Sequence, residues 1–248
     1  IVSDTASIGY TFVTGGSRVT FATGMAVVQA SQKVVDDLKR RAAMLWECDA
    51  SLVVWHDGAA HCTDRSKERP PLTLKDIAGK SAATGGPIGA ETSLTAQGYS
   101  PGFAVHVVDV EVDPDTGRTT VLRYTAAQDV GKAIHPSYVE GQMQGGAAQG
   151  IGWALNEEYL YDSRGAQLNP GFLDYRMPVA SDLPMIDTLM VESAPNLRHP
   201  YGAKGVGEAP IVPPLAAVAN AVSHAVGRRL RELPLSPPRV LEAIQSPA

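Results

Sequence analysis

The stretch Gly202-Ala-Lys-Gly-Val-Gly-Glu-Ala-Pro210 places one carboxylate, Glu208, in a glycine-rich turn just ahead of a proline-started helix. Gly202, Gly205 and Gly207 allow close backbone approach or positive φ, and Pro210, Pro213 and Pro214 stiffen the chain on its C-terminal side. Such a turn can hold a carboxylate base against a large rigid ligand. Taken alone, a glutamate among glycines is more often a solvated loop residue. Two other polar, glycine-rich patches lie far away in the chain: Gly15-Gly-Ser-Arg-Val-Thr20 and Gly141-Gln-Met-Gln-Gly-Gly-Ala-Ala-Gln-Gly150. Together their backbone amides, hydroxyls and glutamine amides could wrap an anionic, multiply hydrogen-bonding organic cofactor.

Other chemistries fail on spacing. Gly79-Lys80-Ser81 has Leu74 where a P-loop needs glycine, and Gly150-Ile-Gly152 meets Leu155 where a dinucleotide fingerprint needs one. Asp113-Pro-Asp-Thr-Gly117 starts like a calcium loop but reads better as a turn, since no liganding glutamate follows at the required distance. His56, His61 and Cys62 sit on one expected hairpin without a second ligand pair, so no metal site made of protein side chains is expected. No serine nucleophile elbow is present, and His135, which precedes Pro136, reads as a turn residue.

The elements that must position these patches are legible in outline. Val27, Val34, Leu38 and Leu45 mark the buried stripe of an amphipathic helix over about 25–46, with Lys33, Asp36, Asp37, Lys39 and Arg40 on its wet face. Leu52 to Trp55, the His56-Asp57-Gly58 turn and a return strand predict a hairpin, and Thr73 caps a short helix over 74–78. A Gly/Pro/Ser-rich connection follows from Thr84 to Gly102. Alternating valines from Val105 to Val112, the Asp113–Gly117 turn and Thr119 to Tyr124 predict a second hairpin. The helix expected over 137–158 carries Gly141, Gly145, Gly146, Gly150 and Gly152, each costing about 1 kcal/mol of helix propensity, so tight packing must hold it. A hairpin-like 159–174, a strand near 188–192 and an apolar helix over 213–226 complete the pattern. Strands and helices without strict βαβ alternation predict an α+β fold of layered mixed sheets and helices.

Composition sets the boundaries. The 248 residues, 44% hydrophobic and 19% charged, suffice for one or two domains with a sizeable core. A net charge of −5, with no basic run longer than Lys39-Arg40-Arg41, argues against a nucleic-acid or membrane surface. No apolar stretch reads as long enough to span a bilayer. Two cysteines, Cys48 and Cys62, supply neither a disulfide framework nor an iron–sulfur cluster, which favours a reducing cytoplasm. The opening at Ile1, without methionine or a signal pattern, reads as an excerpt of a longer chain, a processed product or a subunit of a split protein.

Asp129-Val-Gly-Lys-Ala-Ile-His-Pro136, the run from Glu140 to Glu158 and Gly205-Val-Gly-Glu-Ala-Pro210, in that order and spacing, resemble the molybdenum-binding subunit of the xanthine dehydrogenase/aldehyde oxidase family. Thr14-Gly-Gly-Ser-Arg-Val-Thr20 resembles a cofactor-contacting loop of that family, so the similarity covers nearly the whole chain. The resemblance implies one molybdopterin-binding C-terminal domain over 1–248, with two similar-sized subdomains at 1–100 and 101–248. It implies a molybdopterin cytosine dinucleotide with molybdenum, cradled by Gly15, Gly16, Ser17, Arg18, Thr20 and Gln149 and by the backbone of Lys204, Gly205, Val206 and Gly207. Glu208 would be the base that takes the proton from the oxygen nucleophile, which attacks an electron-poor carbon beside a ring nitrogen or in an aldehyde; water supplies the oxygen. Lys204 is a candidate cation beside that carboxylate, or a solvent-facing residue. The [2Fe-2S] and FAD carriers are expected on partner chains, an iron–sulfur subunit and an FAD subunit. A missing half of the molybdenum subunit would complete the site, leaving this chain inactive alone. The alternative is a non-catalytic molybdopterin-binding or subunit-assembly module of the same fold.

Overall fold

The computed structural model describes residues 4–6, 9–95 and 100–246. Ile1 and residues 96–99 of the expected Thr84–Gly102 connection lie outside them. The chain forms two units of unequal size, a smaller one over Val19–Gln97 and a larger one built from Ile1–Arg18 and Gly98–Ala248.

In the smaller unit a π-helical turn, Val19–Thr23, leads into helix α1, Gly24–Trp46. Leu38, Ala42 and Ala43 bury its stripe, and Val34 packs at the margin of the core. Val27, expected in that stripe, is exposed, because the buried face begins only where β1 and α2 are reached. Arg41 is buried as well: its guanidinium bonds Asp37 at 2.6 Å and the carbonyls of Gly86 and Pro87 at 2.7 and 3.1 Å, so a charge fills a core position with its donors satisfied. Strands β1 (Val53–His56) and β2 (Ala59–Cys62) form the expected hairpin. Asp57 and Gly58 both adopt positive φ, the backbone that a two-residue turn between right-twisted strands demands. Strand β3 (Leu72–Thr73) pairs with β2 and runs into α2 (Leu74–Gly79), where Thr73 and Asp76 form a reciprocal capping box. A single turn, α3 (Ser81–Thr84), follows.

The larger unit holds a mixed sheet in the order β4-β5-β6. β4 (Ala104–Val112) and β5 (Thr119–Asp129) are antiparallel, joined by the Asp113–Gly117 turn, and β6 (Ile186–Val191) lies parallel to β5. One sheet face packs on α4 (Pro136–Leu155) and α5 (Val212–Val226), around Tyr124, Ala126, Met143, Ile151, Val218 and Val222. The glycines of α4 work as their number required. A Cβ on Gly146 would stand 2.8 Å from Pro210 Cβ and one on Gly150 2.7 Å from Pro214, so two bare turns of α4 seat the proline-started end of α5. His135 precedes that helix as a turn residue, its ring stacked on Tyr138.

Helix α6 (Pro237–Gln245) was not anticipated. It seats on the Asp113–Gly117 turn, where a Cβ on Gly117 would lie 2.2 Å from the Pro237 carbonyl oxygen. The run Ala209–Val226, counted with its leading 3-10 turn, is long and apolar enough by length and composition to cross a membrane, contrary to the sequence expectation. One side of it enters the core, where Val218 and Val222 are fully buried, and 28% of the run is buried in all. Cys48 and Cys62 are free thiols. Mixed sheets layered with helices make the fold α+β, as expected.

Candidate functional site

Within the larger unit, three segments far apart in sequence meet around Glu208. The first is the turn at residues 15–18. Gly16 and Ser17 both take left-handed backbone, φ 60° and 59°, and the Arg18 amide donates to the Gly15 carbonyl at 3.1 Å. A turn of this handedness aims successive N–H groups outward. The Gly16 amide donates to Glu208 Oε2, while Ser17 Oγ accepts from the Val206 amide at 3.0 Å. Two reciprocal hydrogen bonds thus join residues about 190 positions apart.

The second segment is the 202–208 turn itself. Gly202 has positive φ, whereas Gly205 is short of space, since an added Cβ would stand 3.0 Å from the Gly16 carbonyl oxygen; one on Gly207 would meet only the movable Gln142 Oε1, at 3.0 Å. Val206 is buried and anchors the turn in the core. The end of β5 fixes its other side. Gln128 Nε2 donates to the Gly205 carbonyl at 3.4 Å, and the Lys204 amide donates to the Val130 carbonyl at 3.1 Å. Amides of Lys132 and Asn196 both donate to the Gly202 carbonyl. Gly131 lies so near that carbonyl that a Cβ would come within 2.3 Å of its oxygen. Glu192 braces the same loop. Its carboxylate accepts from the Ala133 amide at 2.7 Å and pairs with Lys132, and that amide first, then the ammonium, holds its pKa below the usual carboxylate value.

Lys204 departs from both of its expected roles. Its ammonium pairs with Asp129 Oδ2 at 2.6 Å, with side-chain exposures of 7% and 12%, so it is neither solvent-facing nor partnered with Glu208. The reason is local: the Asp129 carboxyl, which also accepts from the Gly131 amide at 3.0 Å, ends β5 beside the Lys204 backbone. Asp129 belongs to the quoted motif, yet its side chain carried no assigned role in the sequence.

The third segment is the face of α4 that bears Gln142, Gly146 and Gln149, residues spaced to share one side of the helix. Gln142 reaches Gly207, and it was missed by sequence reasoning; its place on the face of Gly146 was the available signal. Gln149 is exposed on the same face, two turns on. Arg18 lies over the Phe12 ring, 5.8 Å from its centroid. Gly15 sits against Glu208, where a Cβ would be 3.8 Å from Oε2. Thr20 belongs to the π-helical turn of the smaller unit and is exposed. Thus the larger unit brings together Gly15, Gly16, Ser17 and the 204–208 turn.

The arrangement offers a solvent-reachable carboxylate with one oxygen held by an amide and the other, Oε1, without a partner among the described residues. Next to it stand backbone donors and, deeper, Gln128 Oε1, a buried acceptor with no partner among the described residues. Such a cradle suits a polar ligand presented to a base. No cluster of three or more His, Cys, Asp or Glu that could hold a metal occurs among the described residues.

The chain is similar to known proteins. The family described as molybdopterin cofactor-binding domain matches residues 1–184. The xanthine dehydrogenase molybdenum-binding subunit of Escherichia coli O157:H7 is 35% identical over 230 residues, covering 91% of this chain and 30% of its own length. The carbon monoxide dehydrogenase large chain of Hydrogenophaga pseudoflava is 32% identical over 253 residues, covering 98% of this chain and 31% of its own. Among solved structures, quinoline 2-oxidoreductase from Pseudomonas putida 86 superimposes with a TM-score of 0.80 at 29% identity, covering 97% of this chain and 32% of that one. The fold and the cradle define a molybdopterin-binding domain. The chain belongs to the xanthine dehydrogenase/aldehyde oxidase family of molybdenum hydroxylases and spans about a third of the length of the relatives it matches.

Proposed function

We propose that this chain is the C-terminal, catalytic-base-bearing part of a molybdenum hydroxylase that oxidises an electron-poor carbon of a small N-heteroaromatic or aldehyde-like substrate, with water as the oxygen source. One observation carries the reading: the Gly16 amide holds Glu208 Oε2, so the N-terminal glycine turn and the glutamate turn form one site.

The residues present suit a molybdopterin cytosine dinucleotide. Gly205 leaves little room for a Cβ beside the Gly16 carbonyl, which keeps the backbone of this turn bare. The buried Gln128 Oε1, still lacking a donor beside Gly205, is the kind of acceptor that a pterin N–H would satisfy. Gly15, Gly16, Ser17, Arg18, Gln149 and the backbone of Lys204 to Gly207 would hold the cofactor, and to these we add Gln142 and Gln128, which stand beside Gly207 and Gly205. When bound, it supplies two-electron redox chemistry and a Lewis-acidic metal.

This chain's own contribution is the placing and moving of a proton. Glu208 Oε1 removes the proton from the water-derived nucleophile, while the Gly16 amide fixes the other carboxylate oxygen and so the direction in which Oε1 faces. The Asp129–Lys204 pair and the glycine contacts hold the turn that carries the base. The rest of a molybdenum subunit would complete the pocket, and [2Fe-2S] and FAD carriers on further chains would remove the electrons, in the cytoplasm. In the native complex, Glu208→Gln should lower turnover about a hundredfold or more with molybdenum and pterin content unchanged. Full activity at normal metal loading would overturn the assignment.

A further inference from the structure

Cys48 and Cys62 are too few for a disulfide framework, yet the smaller unit gathers them into one pair. Cys48 stands just past the C-terminal end of α1, where its amide donates to the Ala43 carbonyl at 3.0 Å, and it packs on the core that holds Val53 and Ala60. Cys62 ends β2 opposite Val53. Side chains alternate along a strand, so Cys62 shares the face of buried Ala60 and points toward that same core. The two free thiols meet there within hydrogen-bond reach, and both are partly exposed.

A cation completes the group. Arg69 Nη1 donates to Cys62 Sγ at 3.6 Å and pairs with Asp64 at 3.0 Å, and its side chain is only 8% exposed. The guanidinium is thereby fixed against one sulfur of the pair, and a cation in that place steadies the thiolate, the reactive form of a cysteine. Cys48 differs. Burial first, then the Cys62 thiol beside it, push its pKa above the usual thiol value, so it keeps its proton.

We propose that Cys48 and Cys62 form a peroxide-reactive dithiol, oxidised reversibly to a disulfide that ties the end of α1 to β2, with Cys62 the attacking sulfur and Arg69 its activating cation. The Cys62 thiolate attacks one oxygen of the peroxide. An S–O bond forms, the O–O bond breaks, and the departing hydroxide takes up the proton that Cys62 gave, leaving as the first water. The Cys48 sulfur then attacks the Cys62 sulfenic acid. The S–S bond forms, the S–O bond breaks, and the second hydroxide leaves as water with the Cys48 proton. The dithiol loses two electrons and the peroxide gains them. A dithiol reductant reverses the bond, which makes it compatible with a reducing compartment. The pair lies in the smaller unit, and its chemistry is independent of the hydroxylase reading.

The test exposes the complete native assembly, reduced and then freed of reductant, to hydrogen peroxide at neutral pH, blocks remaining thiols by alkylation and maps the peptides by mass spectrometry. Cys48 and Cys62 should appear in one linked peptide pair, about 2 Da lighter than the two thiol peptides, and dithiothreitol should restore both thiols. The link should form at least about tenfold faster than in the urea-unfolded chain, where neither the pairing nor the Arg69 contact survives. In Cys48→Ser a sulfenic-acid trap should label Cys62, whereas in Cys62→Ser the remaining Cys48 should react at least about tenfold more slowly. Arg69→Gln should slow the link by a similar factor. Linkage no faster than in urea, links between separate chains, or sulfinic acid at Cys62 in place of the link would overturn the proposal. Equal trapping of the two cysteines would overturn the roles given to Cys62 and Arg69. The measurement on the unsubstituted assembly needs no variant, so it decides even where a substituted chain fails to fold.

Discussion

Replacing Lys204 by methionine removes one member of the buried ion pair that fixes the Glu208 turn. With side-chain exposures of 7% and 12%, the pair has little water to take over when it is broken. Lys204→Met leaves the Asp129 carboxylate with the Gly131 amide as its remaining hydrogen-bond partner. Breaking a buried pair from one side costs about 3–5 kcal/mol, whereas exposed pairs are worth about 1 kcal/mol or less. For a chain of this size, about 3 kcal/mol corresponds to roughly 6–12 °C in melting temperature. Asp129→Asn keeps the bond from Gly131 but strands the ammonium, and should cost a similar amount. The double variant Lys204→Met/Asp129→Asn removes both charges and should cost less than the sum of the singles by about 2 kcal/mol. Urea unfolding of the four proteins, followed by circular dichroism, measures the cycle. Single-variant losses near 1 kcal/mol with additive effects would refute the claim that this pair is a buried clamp.

Two further perturbations probe other parts of the molecule. Gly150→Ala adds a Cβ 2.7 Å from the Pro214 ring, so it should destabilise by about 1–2 kcal/mol despite a gain of about 1 kcal/mol in helix propensity; Gly145→Ala, with nothing within 4 Å, should stabilise by about 0.5–1 kcal/mol. Denaturation midpoints that shift the same way for both would contradict the packing of α4 on α5. Burial pushes the His106 pKa down from 6.5 to about 4, and its Nε2 has no partner among the described residues. The unfolded chain therefore binds the proton first as pH falls, so stability present above about 6.5 is lost between about 6.5 and 4, by up to about 3 kcal/mol and nearer 2 for a ring only partly withdrawn from water. His106→Phe should flatten that slope in unfolding curves taken at pH 7, 5.5 and 4.5; an unchanged slope would assign it to other groups.

The pattern-driven elements were legible because their cause is local. The apolar stripe of α1, the Asp57-Gly58 turn, the Thr73 cap and the Asp113–Gly117 turn depend on residues a few positions apart, and each stands where its residues place it. The glycine count of α4 likewise announced close packing, and Pro210 and Pro214 are its packing partners. Val27 failed because periodicity does not say where along a helix its partner begins. Helix α6 escaped notice because nine residues led by two prolines carry a weak signal of their own, and its place comes from the bare turn at Gly117.

At the site, the division is sharper. By itself the sequence determined the family, the three glycine-rich patches and the identity of Glu208 as the carboxylate among them, since motif order and spacing are one-dimensional properties. Only the tertiary structure decided that Gly16 holds that carboxylate, that Lys204 belongs to Asp129, that Gln142 and Gln128 face the turn, and that β6 lies parallel to β5. These partners stand some 60 to 190 residues apart, and no local rule of chain chemistry specifies them. The choice is made by the common core around Tyr124, Met143 and Val206, whose burial brings the separate segments to one place.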